Sequence, residues 1–162
     1  MSRRVMSMSM SAAALAVAFV VATTTPSYAD MTRGVIAAFK GQLIISKGEL
    51  PVGKNDKDTI AKIRKEKLKE ITGTTSEDVT SWYFSYTAFL SKTGAKNLKM
   101  EFLKGGKLAA DKQLDGIDPK SGVLTGEISI NEDEGLSKGN TYQINFVNSS
   151  GAIVAKTTLT MK

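Results

Sequence analysis

A chain of 162 residues, 41% hydrophobic and 23% charged, can bury a real core, yet it carries neither a cysteine nor a histidine. Disulfides, thiolate nucleophiles, Ser-His-Asp catalysis and zinc sites built on imidazole or thiolate are thereby excluded. The 22 basic and 16 acidic residues give a formal charge of +6, which aids solubility and weak attraction to anionic surfaces.

The first 29 residues have the pattern of a cleaved export signal. Arg3 and Arg4 form a basic start, Ala12 to Ala22 (AAALAVAFVVA) is apolar, and Ser27-Tyr28-Ala29 offers small residues where a signal peptidase cuts. That apolar run is about half of the roughly 20 residues a spanning helix needs, so no stable membrane insertion is expected after cleavage. Ser2-Arg3-Arg4 also resembles a twin-arginine signal, but Met6 stands where such signals prefer Phe, and the general secretory route is favoured. Cleavage would place residues 30–162, with a charge of +4, in the periplasm or extracellular space as one domain.

In the mature segment, Val35, Ala37 and Phe39 alternate, and Leu43 and Ile45 carry the phase past Gly41. This predicts a strand within Met31 to Leu50 with a bulge or bend at the glycine. The spacing of Ile60, Ile63, Leu68 and Ile71 predicts a helix over 55–72, N-capped by Asp56 or Asp58 and closed by Gly73. Its basic face, with Lys62, Lys65 and Lys69, reads first as a solvated surface and second as a docking surface for an acidic partner. Residues 73–78 (GTTSED) read as polar linker.

Ser81 to Leu90 (SWYFSYTAFL) predicts a strand with Trp82, Phe84, Tyr86, Ala88 and Leu90 on its core face. Tyr83 and Phe89 fall on the other face, where exposure would make them an aromatic contact surface. Leu98, Met100 and Phe102 alternate before Gly105-Gly106, a hairpin turn leading into Lys107 to Gln113. Further strands follow at Val123 to Ile130, Asn140 to Val147 and Ala152 to Met161. The last is Thr-rich and, if it lies at an edge, could accept a partner strand.

Short strands at this spacing point to an all-β antiparallel sandwich of about seven strands, with one helix inserted after the first. Leu136, Gly139 and Tyr142 lead into the strand of Tyr142, Ile144 and Phe146, and this arrangement resembles the tyrosine corner of immunoglobulin-like and fibronectin type III sandwiches. With Trp82 on an early strand, the resemblance covers Ser81 to Met161. It implies that the Tyr142 ring is buried and that its hydroxyl bonds backbone a few residues upstream. It implies nothing specific about function, because such sandwiches serve many roles.

No nucleotide-cradling loop is present, and basic residues are too interspersed with acids for a nucleic-acid partner. The carboxylates Asp111, Asp115, Asp118, Glu132, Asp133 and Glu134 fall in or near loops, where oxygen ligands could collect Ca²⁺, although no calcium-loop spacing is matched. The expectation is therefore an exported, soluble, non-catalytic binding or structural module without a cofactor. It would meet another protein or an envelope component through sheet edges, loops or the basic helix. The alternative is a small-ligand or Ca²⁺-binding accessory protein that uses the loop carboxylates.

Overall fold

The aromatic segment forms β4 (Val79–Phe89), the strand around which the rest is arranged. The computed structural model describes residues 31–92, 97–114, 116–118 and 120–162. The export signal expected over residues 1–29, the turn residues 93–96, Asp115 and Pro119 lie outside the described residues. Along its length β4 pairs antiparallel with β7 (Val123–Asn131). On its other side it pairs antiparallel with β1 (Leu43–Ser46) and β3 (Thr74–Ser76).

The second sheet has the order β2-β9-β8-β5-β6. Here β2 is Glu70–Ile71, β5 Leu98–Lys104, β6 Lys107–Leu114, β8 Thr141–Asn148 and β9 Ile153–Met161. All pairings are antiparallel except that of β2 with β9. The chain is mostly strand and forms two facing sheets, an all-β sandwich. Alternation places Trp82, Phe84, Tyr86, Met100, Phe102, Tyr142, Ile144 and Phe146 between them in one core. Each such side chain contributes about 1.5–3 kcal/mol by leaving water. The Tyr86 and Phe146 rings meet edge to face, with centroids 5.2 Å apart.

Two expectations are overturned at the start of the domain. Val35 to Phe39 is not strand but α1 (Arg33–Phe39), capped by the Thr32 hydroxyl, which accepts a hydrogen bond from the Val35 amide. Val35 and Phe39, four residues apart, both fall on the buried face, so the apolar run satisfies the helical period. Gly41 takes a left-handed φ of +80° and turns the chain from α1 into β1, rather than marking a bulge within a strand. The first strand is therefore only Leu43–Ser46.

The predicted helix over 55–72 is shorter as well. α2 spans Asp56–Glu66 and is capped by Asn55, whose side chain accepts from the Asp58 amide. Asp56 and Asp58 lie in the first turn, where they complement the helix dipole instead of capping it. Beyond Lys67 the chain becomes extended because tertiary partners claim its backbone. The Leu68 amide donates to the Ile45 carbonyl at 2.8 Å, and the Lys69 carbonyl accepts from the Thr160 amide at 2.9 Å. Leu68 and Ile71 thus pack on the main core from a strap between the sheets, not from a helix.

Gly73 closes no helix. Its amide donates to the Lys162 carbonyl, and a Cβ there would sit 2.5 Å from Thr80 Cγ2 and 2.8 Å from Trp82 Nε1. The segment read as linker contributes β3, joined to β4 through Glu77 and Asp78, both with positive φ. That is the backbone a tight two-residue hairpin turn requires.

α1 and α2 lie together on the outer face of the β1-β4-β7 sheet. Val35, Phe39 and Ile63 from the helices meet Ile44 and Phe89 from the strands in a second, smaller core, and the Phe39 and Phe89 rings are 5.2 Å apart.

Candidate functional site

The corner before β8 is built from the residues that carried the resemblance. Gly139 has φ +81°, Leu136 is buried, and the Tyr142 hydroxyl accepts a hydrogen bond from the Ser137 amide at 2.8 Å. Trp82 is fully buried, and its indole N–H donates to the Lys162 carbonyl at 3.1 Å. Trp82, Leu136, Gly139 and Tyr142 are thus architectural residues.

The carboxylates have mostly local partners. Asn131, Glu132, Asp133 and Glu134 form a 3-10 turn closed by a reciprocal capping box between Asn131 and Glu134. One Glu132 oxygen accepts from the Thr80 amide at 2.9 Å, which with the Thr80 side chain and Lys138 holds this carboxyl below its ordinary range. Glu134 pairs with Lys112, and that contact holds its carboxyl low too. Asp118 accepts from the Lys120 amide at 2.9 Å, and Asp111 lies 4.0 Å from the Lys99 ammonium. Among the described residues, no three acidic side chains converge as a metal cage would require. Asp133 projects from the turn into solvent.

The two aromatic candidates diverge. Tyr83 is 57% exposed, and Glu127 beside it raises its phenol pKa, chiefly through a hydrogen bond. Phe89 is fully buried beneath α1 and offers no contact surface. The three lysines are not one patch either. Lys62 pairs with Asp58 at 3.1 Å, one helical turn away, and Lys65 is solvated on α2. Lys69 belongs to the strap beyond the helix.

Among the described residues, the two long strands with only one strand neighbour are β6 and β7. β6 ends its sheet and is guarded by Lys107, Asp111 and Lys112. β7 pairs with β4 alone, and over nine residues Glu127 is its single charge. β9 is not such an edge. Near its start the Val154 carbonyl accepts from the Ser91 amide and the Lys156 amide donates to the Gly41 carbonyl, while β2 covers its end.

Between those two attachments a trough of about 600 Å³ opens on the outer face of β9. Its wall carries Lys67 and Lys69, and its floor Gln143, Lys156, Thr158 and Thr160. The register aligns Gln143 on β8 with Thr158, which shares its face of β9 with Lys156 and Thr160, so the floor follows the β8–β9 pairing. Partial burial and the neighbouring Lys69 charge lower the Lys67 pKa. Lys67, Gln143 and Lys156 come from separate segments, and no local sequence pattern marked them as one site. A shallower groove of about 450 Å³ lies at the other end of the helical layer, between Ile36 and Leu90, with Arg33, Lys40 and Lys92 around it.

No family model matches the chain, and no curated protein matches it. No helix among the described residues is long and apolar enough to cross a membrane.

Proposed function

We propose that the protein is an exported, non-catalytic binding module of the immunoglobulin-like class, engaging an extended segment of another envelope or extracellular protein by strand addition. The free edge of β7 carries this reading. Its nine residues hold one charge, and strands that must avoid pairing are usually shorter, bulged or guarded by lysine. An incoming strand would gain backbone hydrogen bonds along this edge, with specificity supplied by alternate side chains.

The finer fold assignment rests on topology. A sheet β1-β4-β7 beside a sheet β9-β8-β5-β6 supports a fibronectin type III-like arrangement, with the short β2 and β3 and the two helices as additions. The tyrosine at the start of β8 and the tryptophan on β4 support the same assignment. Export is supported by the basic, apolar and small-residue succession over residues 1–29.

Site-specific photo-crosslinking in cells that express the full chain tests both parts. A photoreactive residue at Ser129 on β7 should capture a protein partner in the envelope or medium, and one at the exposed Lys57 on α2 should not. Equal capture from both positions, or a chain retained in the cytoplasm with residues 1–29 attached, refutes the reading.

A further inference from the structure

The trough on β9 lies at the opposite flank of the sandwich from the β7 edge, and its chemistry is different. Lys67, Lys69 and Lys156 line it without a carboxylate among the lining residues. The nearest acid on the strap, Glu70, is occupied by the Lys162 ammonium at 2.6 Å. Lys67 carries its charge at a cost, since burial and Lys69 both disfavour the protonated form. An anion seated among the three ammonium groups would relieve that cost.

The rest of the lining narrows the anion. A volume of about 600 Å³ is in the range of organic-ligand sites, well beyond a single phosphate or sulfate ion. The lining has no aromatic ring on which a base could stack and no aliphatic side chain to receive an acyl chain. What it offers instead is hydroxyl and amide groups in rungs, from Thr158, Thr160 and Gln143. We infer that this trough binds an acidic saccharide, a sugar chain bearing carboxylate, sulfate or phosphate groups. The lysines take the charges as point donors, and the threonine and glutamine groups meet the sugar hydroxyls. The site is independent of strand addition at β7, so either can fail alone.

Titration of the isotope-labelled exported protein tests this, with trigalacturonate as probe and maltotriose and inorganic phosphate as controls. Trigalacturonate should shift the amides of Lys67, Lys69, Lys156 and Thr158, raise the pKa of Lys67, and bind more weakly as salt rises. The double variant Lys69→Gln/Lys156→Gln, at exposed positions that leave the core intact, should lose affinity by about fivefold or more. The variant Lys57→Gln/Lys65→Gln on α2 should bind as the parent does. Equal binding of maltotriose overturns the charge requirement, and equal binding of inorganic phosphate overturns the saccharide. Shifts confined to α2, or none at all, overturn the site.

Discussion

Tyr142 shows how one side chain can do two jobs. Its ring fills the same core as Trp82, and its hydroxyl holds the Ser137 amide, which would otherwise lack a partner in a partly buried turn. Replacing it with Phe keeps the ring and removes the acceptor. Tyr142→Phe should therefore lower stability by about 1 kcal/mol, seen as a lower denaturation midpoint with an unchanged slope. An unchanged midpoint would mean that water serves Ser137 equally well. This residue was legible in the sequence, because Leu136, Gly139 and Tyr142 stand at the turn into an alternating strand. Gly73 was not. Its placement after a helical pattern suggested a cap, whereas the actual need is room for Trp82, set by residues distant in sequence.

Among the elements, the 3-10 turn at Glu132–Glu134 joins the sheets through charge. Glu132 reaches β4 at Thr80, and Glu134 reaches β6 at Lys112. The folded-state pKa of each carboxyl is depressed. The unfolded value is about 4.3, so their stabilising contribution is present above that pH and is lost as pH falls through the lower folded values. Thermal melts from neutral to acid pH should show that loss, and Glu132→Gln should flatten the profile in the acid range. A variant with the parent's profile would assign the acid response to other groups. The elements also show where pattern reading stops. Val35 to Phe39 fits both periods, because residues 35 and 39 share a face in a helix and in a strand alike. The Thr32 cap decides for the helix. Leu68 and Ile71 have helical spacing too, but backbone partners from β1 and β9 outbid it, and no local signal announces those partners.

For the molecule as a whole, the strands of the sandwich were readable from alternation, but the second core was not. Phe89 and Ile44 looked like the outward residues of half-buried strands until α1 and α2 covered them. Likewise the trough depends on three segments that only the fold brings together. The strap that forms its wall has a further consequence, for the order in which the chain finds its structure. Leu68 and Lys69 tie β1 to the end of β9, and eighty residues separate Trp82 from the Lys162 carbonyl it bonds. Closing so long a loop costs entropy before any contact rewards it, so this clasp belongs to the late side of the folding barrier. Leu68→Ala should then speed unfolding severalfold while leaving the refolding rate nearly unchanged, as stopped-flow kinetics would reveal. Slowed refolding would instead place the strap in the nucleus. With a late clasp, the β4–β7 and β5–β8 pairings would form while the final strand is still unsecured, and the lifetime of the native state would be set by how rarely that clasp lets go.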